Sequence, residues 1–209
     1  MKKVPNVLTV FRILFVIPFI VLMLWFNMIN DYNEYPILAR SLLAASLGIF
    51  ILAMLTDFLD GYIARKYNVV SEFGKLWDPL ADKIITNTAL IMLSTANIIP
   101  VWITVIFILR DMIVDGFRVV LAKNKASVAA NKWGKIKTVV VSIGIIFVMS
   151  AFIAINSNSW KISDTEIINI EYKLLFINIF KTPLIIGTVF SIASGIIYAK
   201  AGWKFLYKN

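Results

Sequence analysis

Asp57 and Asp60 are three residues apart, and Asp78 and Asp82 are four apart. On helices, each spacing puts its pair on one face. The stretch between the pairs is short, so two helices meeting at one turn bring four carboxylates to a common depth. Four like charges repel unless neutralised, and divalent cations are the natural neutraliser. The chain has neither histidine nor cysteine. That excludes thiolate nucleophiles, Cys/His zinc sites, Ser-His-Asp triads, and haem ligation through His or thiolate. A metal site here is built from oxygen, which favours Mg²⁺, Mn²⁺ or Ca²⁺ over zinc or copper. The bland alternative is that each aspartate caps a helix or solvates a loop.

Gly61 and Gly74 lack a Cβ and let a ligand approach the backbone closely. Ala64 keeps the same face small, and Arg65 can pair with a phosphate or with one of the aspartates. Further along, Arg110 and Arg118 share a helix face about 12 Å apart, with Asp111 and Asp115 available to neutralise them internally. Lys135 and Lys137 follow in Asn131-Lys132-Trp133-Gly134-Lys135-Ile136-Lys137-Thr138. Together these cations form a candidate anion pocket, because the arginine fork suits phosphate and lysine adds a point charge. Taken alone, the two lysines are equally a positive flank of a membrane span. Gly134-Lys135 is no P-loop, since no glycine stands five positions earlier and Ile136 replaces the required hydroxyl. Near the start, Asn6, Thr9 and Arg12 fall on one helical arc, which is either a ligand contact or an interfacial anchor.

These residues need a membrane-embedded frame. Of 209 residues, 60% are hydrophobic, and the mean hydropathy is +0.83, above globular usage. Apolar runs near 5–26, 38–55, 79–96, 100–121, 138–155 and 183–198 are each able to cross about 30 Å of hydrocarbon. The expectation is an all-α polytopic membrane protein with about six transmembrane helices and an N-terminal interfacial helix, forming one domain over 1–209. Pro79, Pro100 and Pro183 are expected near helix starts. Met1-Lys2-Lys3 before an apolar run superficially resembles a signal peptide, but no small-residue cleavage site follows Phe26, so this run is read as a retained first span. The net charge of +9 lies between apolar runs and not on a soluble basic face, which points to an anionic membrane surface and phosphorylated substrates and away from nucleic acid. Lysine and arginine collect on one set of connections. By the positive-inside rule, both termini and the 56–77 connection are then cytoplasmic.

Asp57 to Asp82 resembles the signature of the CDP-alcohol phosphotransferase family: Asp-x-x-Asp-Gly-x-x-Ala-Arg, eight residues, Gly-x-x-x-Asp-x-x-x-Asp, matched here at every position. The resemblance implies that family's transmembrane fold, weakening over about 156–181. It also implies a homodimer in the bacterial inner membrane with its site facing the cytoplasm. Two divalent ions, Mg or Mn, would be held by Asp57, Asp60, Asp78 and Asp82 on the pyrophosphate of a CDP-linked donor, with Asp82 as general base. Asp57, Gly61, Ala64, Arg65 and Gly74 correspond to positions that contact the nucleotide or its phosphates.

Pro5-Asn6-Val7-Leu8-Thr9-Val10-Phe11-Arg12 is similar to an N-terminal element of the phosphatidylglycerophosphate synthase branch. The Arg110–Arg118 and Gly134–Thr138 segments resemble that branch as well, although Asp115 stands where Ser or Thr is expected. This implies CDP-diacylglycerol as donor, sn-glycerol 3-phosphate as acceptor and CMP as leaving group, with Asn6, Thr9 and Arg12 on the donor side and Arg110, Arg118, Lys135 and Lys137 on the acceptor phosphate. Inositol phosphate, serine or phosphatidylglycerol as acceptor remains open within the family. From another class, a cation-coupled transporter would also place carboxylates on apolar helices.

Overall fold

The structure is a computed structural model, describing residues 4–29, 35–66, 72–123, 132–154 and 167–206. The described residues are helical apart from short turns and contain no strand. In chain order the helices are α1 (Val4–Met28), α2 (Pro36–Lys66), α3 (Glu72–Thr95), α4 (Val101–Lys123), α5 (Lys132–Ala154) and α6 (Ile167–Leu206).

Four stretches are long and apolar enough to cross a membrane: Thr9–Met28, Ile37–Asp60, Lys137–Ala154 and Asn178–Trp203. The chain is an integral membrane protein. α3 and α4 have 24 and 23 residues, or about 36 and 35 Å at about 1.5 Å per residue. Their length is sufficient, but their hydropathy is lowered by the charged residues they carry.

Six positions of α1, namely Thr9, Arg12, Val16, Phe19, Met23 and Phe26, are buried and recur at alternating intervals of three and four. That is the seam by which one helix packs into another. α1 lies against α2 and α3 through it, with the Phe19 and Phe50 rings 6.3 Å apart. The same core includes Ile85, Leu93, Ile103, Phe107, Ile145 and Met149, from α3, α4 and α5. Large apolar side chains such as Ile17, Val21, Val105, Val119 and Val189 point outward, as expected where the solvent is lipid.

α3 ends in a Schellman turn. Asn97 adopts a left-handed φ of 56°, the Ile98 amide donates to the Leu93 carbonyl (2.9 Å), and the Asn97 amide donates to that of Ser94 (3.0 Å). Asparagine tolerates this conformation and the bonds satisfy carbonyls that the helix leaves open. Ser94 and Thr104, hydroxyls 2.6 Å apart, tie α3 to α4 in an otherwise apolar layer.

Three sequence expectations change. Pro100 does precede α4, but Pro79 lies seven residues into α3 and Pro183 lies inside α6. Packing against neighbouring helices lets a membrane helix continue through a missing amide proton. The N-terminal segment is no separate interfacial helix, because α1 is continuous from Val4 and Thr9 and Arg12 continue its buried seam. α6 begins at Ile167, well before Pro183.

Candidate active site

α2 runs on past its apolar stretch to Lys66, so Asp57 and Asp60 are both on helix, at the end of the apolar stretch. The apolar stretches of α1 and α5 begin at Thr9 and Lys137. Thr9, Asp60 and Lys137 therefore mark one boundary of the bundle.

Arg12, with no exposed surface, turns toward the α2 acids. Its Nη1 is 2.7 Å from Asp57 Oδ1, and its Nη2 is 3.8 Å from Asp60 Oδ2. Thr9 donates to the same Asp60 oxygen at 3.3 Å. Asp60 is buried at 3% exposure, whereas the Asp57 side chain is 46% exposed. Among the described residues, the Arg12 nitrogens make no aligned hydrogen bond. Their contacts with the acids are ion pairs, and a buried fork without aligned acceptors is suited to an anionic ligand.

On α3, the Asp82 carboxylate is repelled by Asp57 and Asp111 and attracted by Arg12 and Lys137. It therefore stands in the fields of both the acid cluster and the cation group.

Asp82 also lines a cleft of about 140 Å³ with Lys83, Arg110, Asp115, Arg118 and Lys137 among its walls. Lys137 Nζ donates to both oxygens of Asp111, at 2.8 and 2.9 Å, and lies 5.2 Å from the centre of the Phe107 ring. Arg110 Nη1 donates to Asp111 Oδ1 at 2.8 Å. Asp115 pairs with Lys83 and, at 3.9 Å, with Arg118. Asp111 and Asp115 thus neutralise the cations in part, as their positions allow. Lys83 and the hydroxyl of Ser194, which receives Arg110, were not singled out from the sequence. Lys83 adjoins Asp82, so its proximity was a usable signal. The pairing with Ser194 spans 84 residues and left none.

Three of the candidate acids are described at side-chain level: Asp57, Asp60 and Asp82. The side chains of Asn6, Ala64, Arg65, Asp78 and Lys135, and the surroundings of Gly61 and Gly74, lie outside the described residues. The donor chemistry fits Mg²⁺ or Mn²⁺, with carboxylate oxygens from two helices in mutual repulsion and already drawing a buried cation. Among the described residues, no three of these acids are grouped closely enough to hold one ion, so a metal site also requires Asp78 or ligand oxygens.

A family model, described as CDP-alcohol phosphatidyltransferase, matches residues 2–193. The chain belongs to the CDP-alcohol phosphatidyltransferase family. Its members are generally dependent on divalent metal. The chain is 38% identical over 202 residues to a CDP-diacylglycerol–glycerol-3-phosphate 3-phosphatidyltransferase of Mycoplasma genitalium, covering 94% of this chain and 82% of that protein. A protein of the same name from Mycoplasma pneumoniae is 35% identical over 209 residues, covering 97% and 88%. The Bacillus subtilis protein of that name is 41% identical over 141 residues, covering 66% and 72%. For a phosphatidyltransferase, one cleft holding both an acid and a group of cations has a direct use.

Proposed function

We propose that the protein transfers the phosphatidyl group of CDP-diacylglycerol to sn-glycerol 3-phosphate, giving phosphatidylglycerophosphate and CMP. The observation that carries this reading is that Asp82 lines the same cleft as Arg110, Arg118 and Lys137. An acceptor carrying its own phosphate can be gripped by the cations while its hydroxyl stands at the carboxylate. An uncharged acceptor would leave the cations without a substrate role. The names of the similar proteins agree with this acceptor.

In the reaction, the acceptor hydroxyl oxygen bonds to the phosphatidyl phosphorus as the bond from that phosphorus to the CMP oxygen breaks. Asp82 takes the hydroxyl proton. Arg110, Arg118, Lys135 and Lys137 hold the acceptor phosphate. Asn6, Thr9 and Arg12, with Asp57, Gly61, Ala64, Arg65 and Gly74, bind the donor's nucleotide and phosphates. Asp57, Asp60, Asp78 and Asp82 would hold two divalent ions, Mg or Mn, which supply charge stabilisation to the attacking and leaving oxygens. The protein acts as one catalytic domain, as a homodimer in the bacterial inner membrane, with this site on the cytoplasmic side, where the basic connections lie.

The test offers purified protein in lipid vesicles CDP-diacylglycerol, Mg²⁺ or Mn²⁺, and one acceptor at a time: sn-glycerol 3-phosphate, inositol phosphate, serine or phosphatidylglycerol. CMP release is expected with the first. Release with another acceptor alone would reassign the substrate. Ion or solute flux without CMP release would make the protein a transporter.

A further inference from the structure

α6 contributes nothing to the roles assigned above, yet its inner face lies against α4, the helix that carries both cleft arginines. Ser191, Ser194 and Tyr198 are buried on that face. Arg110 Nε donates to Ser194 Oγ at 3.1 Å, and Nη2 donates to the same oxygen. The Ser194 proton goes to the Ser191 carbonyl at 3.2 Å, which leaves the hydroxyl's lone pairs for the arginine. With Nη1 held by Asp111, the guanidinium plane is fixed from two sides. A Cβ on Gly195 would come within 3.3 Å of Arg110 Cγ, so glycine leaves room for the arginine stem.

One turn further along α6, the Tyr198 ring centre is 5.3 Å from Arg118 Cζ. Tyr198 is itself buried in a cluster with Val114 and Leu121 of α4. The Arg118 side chain is 51% exposed, and a half-exposed arginine samples many rotamers unless a surface holds it. A fixed aromatic face restricts it through cation–π attraction. Gly202 brings the helices close here, since a Cβ on it would clash with the Phe117 ring.

We propose that Ser194 and Tyr198 are positioning residues that hold Arg110 and Arg118 in the orientation that receives the acceptor's phosphate. The inference rests on the reading of this cleft as the acceptor-phosphate site. Both residues lie beyond residue 193, where the family match ends. Two arginines ordered in advance lose less freedom when a phosphate binds.

Ser194→Ala and Tyr198→Leu are each expected to raise the KM for sn-glycerol 3-phosphate by about three- to tenfold, leaving kcat and the KM for CDP-diacylglycerol near wild type. Ser194→Thr keeps an acceptor oxygen and Tyr198→Phe keeps the ring face, so both should restore a near-wild-type KM. Binding of sn-glycerol 3-phosphate without donor, read as thermal stabilisation of the detergent-solubilised protein, should weaken in parallel and needs no turnover. Arg110→Ala and Arg118→Ala are the controls. If these raise the acceptor KM while Ser194→Ala and Tyr198→Leu lower only the melting temperature, the positioning role is overturned and the cleft reading stands. If the arginine variants leave the acceptor KM unchanged, the cleft reading falls and the inference falls with it.

Discussion

Arg12 on α1 and Asp57 on α2 meet at 2.7 Å, with the arginine fully buried. The contact ties the N-terminal helix to the first acids of the family signature. Asp60, also buried, shares the same guanidinium at 3.8 Å. Arg12→Met should therefore destabilise the protein by on the order of 3 kcal/mol, because it leaves Asp60 buried beside a neutral side chain. Adding Asp60→Asn should recover most of that loss without restoring activity. Thermal unfolding of the single and double variants checks this, and a purely additive result would mean the two residues are not coupled.

Asp57→Asn removes one negative charge and one oxygen donor from the proposed metal site while keeping the side chain's shape. Turnover should be abolished, with folding intact by thermal unfolding. Chelation of divalent ions should silence the wild type, and Mg²⁺ or Mn²⁺ should restore it. Wild-type turnover by Asp57→Asn with added metal would remove the role given to this residue.

Lys137 and Asp111 are both buried and joined through two hydrogen bonds. Lys137→Met leaves Asp111 with Arg110 as its remaining cation in the cleft, drawing that arginine away from substrate. The expected outcome is a higher KM for sn-glycerol 3-phosphate together with a stability loss of about 2 kcal/mol. Lys137→Arg should retain more of both, and steady-state kinetics with a melting curve separates the two effects.

At Gly144, α5 lies close against the backbone of α6. An added Cβ would lie 2.7 Å from Leu184 Cδ2 and 3.2 Å from the Leu184 amide nitrogen. Gly144→Ala should cost about 1–3 kcal/mol through overpacking, with a lower melting temperature and little change in the KM of either substrate. An unchanged melting temperature would show that α6 can move away freely.

Asp57 and Asp60, which share Arg12, were legible as a pair because they lie within one helical turn; the Asp78 side chain lies outside the described residues. Each of the six helices among the described residues overlaps one of the apolar runs, although α2 and α6 extend well beyond theirs because they carry polar residues outside the apolar stretch. Asp82 and the α4 arginines were legible as separate features, but their meeting in one cleft depends on how α3, α4 and α5 pack. Thr9 and Arg12 could also be read as part of an interfacial anchor. Their true setting was written in the seam they share with Val16, Phe19, Met23 and Phe26, which marks them as interior. Ser194 and Tyr198 were missed because a serine and a tyrosine on an apolar helix carry no sign of the arginines they face. Pro183 misled because a proline inside a membrane helix is tolerated more readily than one inside a soluble helix.

In the proposed reaction, Asp82 takes the proton of an acceptor whose phosphate the neighbouring cations hold. The most direct measurement is the yield of CMP and of lipid product from CDP-diacylglycerol and sn-glycerol 3-phosphate, for wild type and Asp82→Asn in identical vesicles. The wild type should give CMP and phosphatidylglycerophosphate in equal amounts, and a folded Asp82→Asn should give neither. Equal product from the variant, or CMP from the wild type without the lipid, would contradict the account.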